Sequence, residues 1–127
     1  MTPEIIDNPC RAREYFVICK NDFTLAGAGK ISVDVTFIPD SAILNRQSYN
    51  AYLENIFAGA GGDLILETLA EKIIEDLSNE LVPFWISVRI LLESQSGNSS
   101  SLHQAILEDR QPGWDNPGLL SQVGPPR

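Results

Sequence analysis

Hydrophobic and polar residues alternate cleanly between positions 30 and 38. Ile31, Val33, Val35 and Phe37 fall on one side of the pattern, and Lys30, Ser32, Asp34 and Thr36 on the other. A period of two marks a strand with one face buried and one wetter, and Pro39-Asp40 ends it. The apolar run Tyr15 to Lys20 predicts a strand before it. Over Arg46 to Phe57 the period becomes helical, with Tyr49, Leu53, Ile56 and Phe57 as its buried side and A-G-A-G-G (58–62) as its exit. A second helix is expected from about Asp63, a reasonable N-cap. Leu66, Leu69, Ala70, Ile73 and Leu77 recur along it, and Pro83 stops it. Alternation returns from Phe84 to Leu92, with Phe84, Ile86, Val88 and Ile90 inward. S-Q-S-G-N-S-S-S (94–101) reads as a polar hairpin loop, and Leu102 to Glu108 as a fourth strand.

The order ββααββ predicts an α+β fold, a four-stranded antiparallel sheet with both helices on one face. Its other face would show Asp34, Thr36, Trp85, Ser87, Arg89 and Leu91. Such a sheet leaves edge strands open, and pairing with further subunits is one remedy. A homo-oligomer is therefore expected. Residues 1–12, with little periodicity, read as a loose arm, 13–109 as the domain. The Pro/Gly-rich stretch 110–127 reads as a tail unable to build regular structure.

Charge narrows the partners. At 127 residues and a net charge of −8, a nucleic-acid backbone or an anionic membrane surface is a poor match. No run is long and apolar enough to span a bilayer, and Glu4 and Asp7 interrupt any signal-like opening. A cytoplasmic location is the default expectation. Two cysteines, Cys10 and Cys19, are too few for a disulfide framework, and one histidine with scattered acids offers no metal-ligand spacing.

Two glycine-rich stretches suggest phosphate loops at first sight. L-A-G-A-G-K (25–30) fails the P-loop test, because Thr24 holds the first glycine's place, Ile31 the hydroxyl's, and a strand rather than a helix follows. G-A-G-G (59–62) fails the dinucleotide pattern at Leu64. Turns that need positive φ are the better reading.

N-D-F-T (21–24), I-S-V-D-V-T-F-I-P-D (31–40), S-Y-N-A-Y-L (48–53) and E-x-x-x-x-x-I-I-x-D-L (67–77) occur in the order found in the 7-cyano-7-deazaguanine reductases of queuosine biosynthesis. Over residues 13–108 the chain resembles these tunnelling-fold proteins, in their unimodular form or their archaeal amidine-forming relatives. The resemblance implies a tunnelling fold assembling into barrels. In that family a cysteine thiolate attacks the nitrile to give a thioimidate, an aspartate handles protons, and NADPH supplies hydride. A His-Glu pair holds the base across a subunit interface, and a lysine-bearing stretch grips the cofactor.

Carried over residue by residue, most of that chemistry is missing. The nucleophile position falls on Gly27, and the aspartate's segment is deleted between Ala28 and Lys30. N-R-Q-S-Y-N-A-Y (45–52) keeps Ser48 and Tyr52 as remnants of the cofactor stretch but puts Asn45, Gln47 and Asn50 where the acid and both lysines stand. Leu66-Glu67 retains the glutamate without the histidine. Glu67 is thus the one ligand-binding residue the resemblance implies, a carboxylate suited to the N–H/NH₂ edge of a purine- or pterin-like ring. On the residues alone it heads a solvated acidic stripe, Glu67, Glu71 and Glu75.

Cys19 shares a strand face with Tyr15 and Val17 and reads as packing rather than a relocated nucleophile. His103 has no carboxylate partner in sequence and reads as a packing or solvent-facing residue. Three functions stay open: a diverged binder of a purine- or pterin-like ring, an enzyme of the deazaguanine pathway with relocated chemistry, and a structural or adaptor oligomer.

Overall fold

The computed structural model describes residues 2–25, 29–59 and 65–122. Of the two glycine-rich stretches and the residues after them, 26–28 and 60–64 lie outside the described residues, Gly27 and Asp63 among them. Six strands and three helices are present among those described: β1 Ile5–Asp7, β2 Val17–Leu25, β3 Gly29–Ile38, β4 Ala42–Leu44, α1 Arg46–Ala58, α2 Leu66–Leu81, β5 Trp85–Ser96, β6 Ser99–Arg110 and α3 Pro117–Leu120.

The central sheet is four-stranded and antiparallel throughout, in the sequential order β2-β3-β5-β6. Register makes one face apolar. Cys19, Val35, Val88 and Leu107 stand abreast, as do Phe23, Ile31, Leu92 and His103. Ile31, Val33, Val35, Phe37, Ile86, Val88 and Ile90 on this face are fully buried or nearly so, and both long helices contribute to the same core. Helix α1 adds Tyr49, Tyr52, Leu53 and Phe57, and α2 adds Leu66, Ala70, Ile73, Leu77 and Leu81. Phe23 meets Phe57 with ring centroids 5.1 Å apart, joining the far half of β2 to the end of α1.

Several elements differ from the sequence expectation. The arm at 1–12 is not loose: β1 pairs antiparallel with β4 in a separate two-stranded sheet. Asn8 fixes the bend that follows, donating to the Asp40 carbonyl at 2.9 Å and accepting from the Cys10 amide and the Tyr15 hydroxyl. The expected loop at 94–101 shrinks to a two-residue turn at Gly97-Asn98, with Gly97 at φ 60. Glycine at the first central position, with no positive φ at Asn98, suits a type II′ hairpin. The expected tail holds the short α3, capped by the Asn116 side chain. Trp114 stacks on Phe84, centroids 6.0 Å apart, and its indole N–H donates to Glu14. Phe84, expected inward on the strand, thus precedes β5 and stacks on Trp114, while its backbone bonds Ile38 and Gln111 on either side.

Trp85 is a further correction. It lies on the face away from the helices yet is only 4% exposed, with Phe16 packed edge-on against it at 5.9 Å. The segment entering β2 folds over this end of the sheet.

Gly29 accounts for part of the glycine-rich turn. Its φ is 120, and a Cβ there would run into the Glu93 carbonyl on β5. Glycine is required by a close backbone approach, the conformational role expected of it.

Candidate functional site

Glu67 sits in the first turn of α2. Ile65, the residue at the N-cap position, supplies no side-chain cap, and Glu67 is the acidic residue of the helix's first turn, a stabilising place for a carboxylate. The side chain is 59% exposed, and His103 Nε2 lies 3.4 Å from Oε1. His103 stands on β6, on the helix-facing side of the sheet, where α2 crosses the β5–β6 half. The fold thus places a histidine beside Glu67 from a strand 36 residues further along the chain (103 − 67 = 36). In the sequence no carboxylate neighbour marks His103 as one of a pair. Only the packing of α2 over β6 reveals the pair, and no local motif marks it. Glu71, one turn on, is exposed and has no ion pair among the described residues.

Ser48 and Tyr52 serve the fold. The Ser48 amide donates to the Asn45 side chain at 2.9 Å, which caps α1, and its Oγ accepts from the Glu4 amide at 2.7 Å, tying β1 to the helix. The Tyr52 hydroxyl donates to Asp76 Oδ2 at 2.6 Å, linking α1 to α2 beneath the surface. Burial and that bond push its pKa up. Neither group is free to grip a dinucleotide, and the lysines of the family stretch are absent. The residues present do not fit NADPH.

Cys19 lies on the inward face of β2, half-buried, and burial pushes its thiol pKa up. That disfavours the thiolate, the form a nucleophile needs. Among the described residues no group of three or more His, Cys, Asp and Glu side chains is placed to hold a metal ion, and no helix is long and apolar enough to cross a membrane.

A second feature went unseen in the sequence. Between the first half of β2, the end of β4 and the first turns of α1 lies a cavity of about 430 Å³. Val17, Cys19, Ile43, Leu44 and Tyr49 form its apolar wall, with Arg46 and Asn50 at its polar side. A bond of 2.9 Å from Asn21 to Asn50 ties β2 to α1 beside it. Tyr49 is 1% exposed, and its hydroxyl has no hydrogen-bond partner among the described residues. Burial, with Cys19 and Asp34 nearby, pushes its pKa up and keeps the phenol protonated.

Glu67 and this cavity occupy opposite edges of the sheet, the β6 side and the β2 side. No protein-family model matches the chain, and no curated protein matches its sequence.

Proposed function

We propose that the chain is a tunnelling-fold subunit, diverged from the 7-cyano-7-deazaguanine reductases, that binds a purine- or pterin-like ring through Glu67 and does not reduce nitriles. The observation that carries this reading is the exposed Glu67 carboxylate at the head of α2, with His103 3.4 Å from one oxygen and the other oxygen unengaged among the described residues. A carboxylate so placed can accept two hydrogen bonds from an N–H/NH₂ edge. The sequential antiparallel sheet and the shared helix face are what a tunnelling fold requires.

Loss of reduction follows from the residues. Gly27 stands at the nucleophile position and cannot form a thioimidate, and Cys19 is a half-buried thiol on a strand. A scaffolding role without a ligand is the competing account, in which Glu67 only steadies the first turn of its helix.

Calorimetry with guanine, 7-deazaguanine and a pterin separates the two. Binding is expected, and Glu67→Gln should weaken it by about 1.5–3 kcal/mol, roughly tenfold to over a hundredfold. Glu71→Gln, one turn along, should change little. No binding by the parent, or equal losses at both positions, leaves the scaffold. NADPH-dependent consumption of 7-cyano-7-deazaguanine above a protein-free control would overturn the loss of chemistry.

A further inference from the structure

We propose that the cavity bounded by β2, β4 and α1 is a binding site for a small planar aromatic carboxylate, separate from Glu67. Its volume, about 430 Å³, falls in the range of small-molecule sites, about 300–1,000 Å³. The wall of Val17, Cys19, Ile43, Leu44 and the Tyr49 ring suits a flat apolar body rather than a hydrated ion.

Charge selects the other end of the ligand. The chain carries 17 acids against 9 lysines and arginines, yet among the described residues no carboxylate lines this cavity. Arg46 does, at the first residue of α1, where the helix dipole adds to its charge. It has no ion pair among the described residues, unlike Arg11, Lys72 and Arg110. Lys20 also borders the space and likewise has no ion pair among the described residues, but it stands opposite the Asp34 carboxylate in the β2–β3 register and away from the helix end, whereas Arg46 has no acidic residue opposite it. Arg46 is therefore the cation assigned to the ligand. A guanidinium offers a planar fork that matches a carboxylate with two parallel bonds.

Tyr49 adds a flat apolar contact. It is 1% exposed and contributes to the cavity wall, but its hydroxyl is closed off from the open space and has no partner among the described residues. Its ring rather than its oxygen is therefore what a planar ligand meets.

Amide chemical shifts in a titration with quinoline-2-carboxylate, and separately with quinoline-2-carboxamide, test the assignment. The acid should perturb Val17 to Asn21 and Arg46 to Asn50, and bind about tenfold or more tightly than the neutral amide, the difference a charge-assisted fork makes. Arg46→Ala should remove that preference, whereas Lys30→Ala, at the far end of the sheet, should preserve it. Equal binding of acid and amide, retained preference in Arg46→Ala, perturbation confined to other residues, or no perturbation at millimolar ligand would each overturn the proposal. Inorganic phosphate binding as tightly as the aromatic acid would overturn its planar part.

Discussion

Two tyrosines three residues apart on α1 illustrate how differently one side chain can be used. Tyr49 and Tyr52 are both 1% exposed and their rings stack at 6.5 Å. Tyr52 donates to Asp76, a partly buried carboxylate that also holds Lys72 at 3.1 Å, whereas the Tyr49 hydroxyl has no partner among the described residues. Tyr52→Phe should therefore cost about 1.5 kcal/mol, the low end for a bond to a charged group, since Lys72 still serves Asp76. Tyr49→Phe should be neutral or stabilising by up to about 1 kcal/mol, because it deletes a buried donor that nothing satisfies. Urea titrations of the two variants beside the parent measure both, and equal losses would defeat the distinction. The pH dependence has a definite sign. Folding raises the Tyr52 pKa above its ordinary 10.0, so its contribution is intact below pH 10 and is lost as pH rises beyond that towards the folded value. Tyr52→Phe should flatten that alkaline decline. None of this was legible from N-R-Q-S-Y-N-A-Y, where Tyr52 read as a cofactor remnant. Its partner Asp76 is 24 residues away on another helix.

Elements were legible wherever one face is buried against the helices and the other is wetter. The alternation of β3 and the helical spacing of α2 both reflect a single buried side, and both elements lie close to where their patterns place them. The pattern fails where the ladder outruns the core. In the β5–β6 hairpin Ser94 and Ser101 pair at 2.7 Å beyond the helix-covered sheet, so serines continue a strand with no apolar face to announce it. β1 is missed for the same reason, since all three of its residues are exposed. Strain at an element's end is equally silent in a periodicity. α2 ends on Val82, a β-branched residue at φ 44, ψ 56, followed by Pro83, which itself disfavours helical backbone before it. Val82 is 57% exposed, so little packing is lost if the side chain is removed. Val82→Gly should stabilise the fold by about 1 kcal/mol, the left-handed penalty recovered less the extra freedom glycine has when unfolded. A raised melting temperature checks this; a lowered one would mean that Val82 packs on a surface its exposure does not reveal.

At the scale of the whole molecule, two long strands are left with one open side each. β2 has nine residues and β6 has twelve, and at opposite ends of the sheet neither pairs with a further strand among the described residues. Natural sheets rarely leave such edges bare, because free N–H and C=O groups invite further strands. The two edges also carry exposed apolar side chains, Ile18 at 55% and Leu102 at 71%. By register both lie on the face away from the helices. A joint between β2 of one copy and β6 of the next would extend the antiparallel order and shelter both residues, and repeating it around an axis closes a ring. The expected solution mass at tens of micromolar is accordingly a multiple of 14.0 kDa. Copies bearing a net charge of −8 repel one another, so added salt should strengthen the assembly by screening. Ile18→Lys together with Leu102→Lys should release monomers whose circular dichroism is unchanged, since neither side chain belongs to the core. Light scattering on parent and variant decides the matter. A monodisperse parent monomer would remove the ring and leave the fold of the subunit as described.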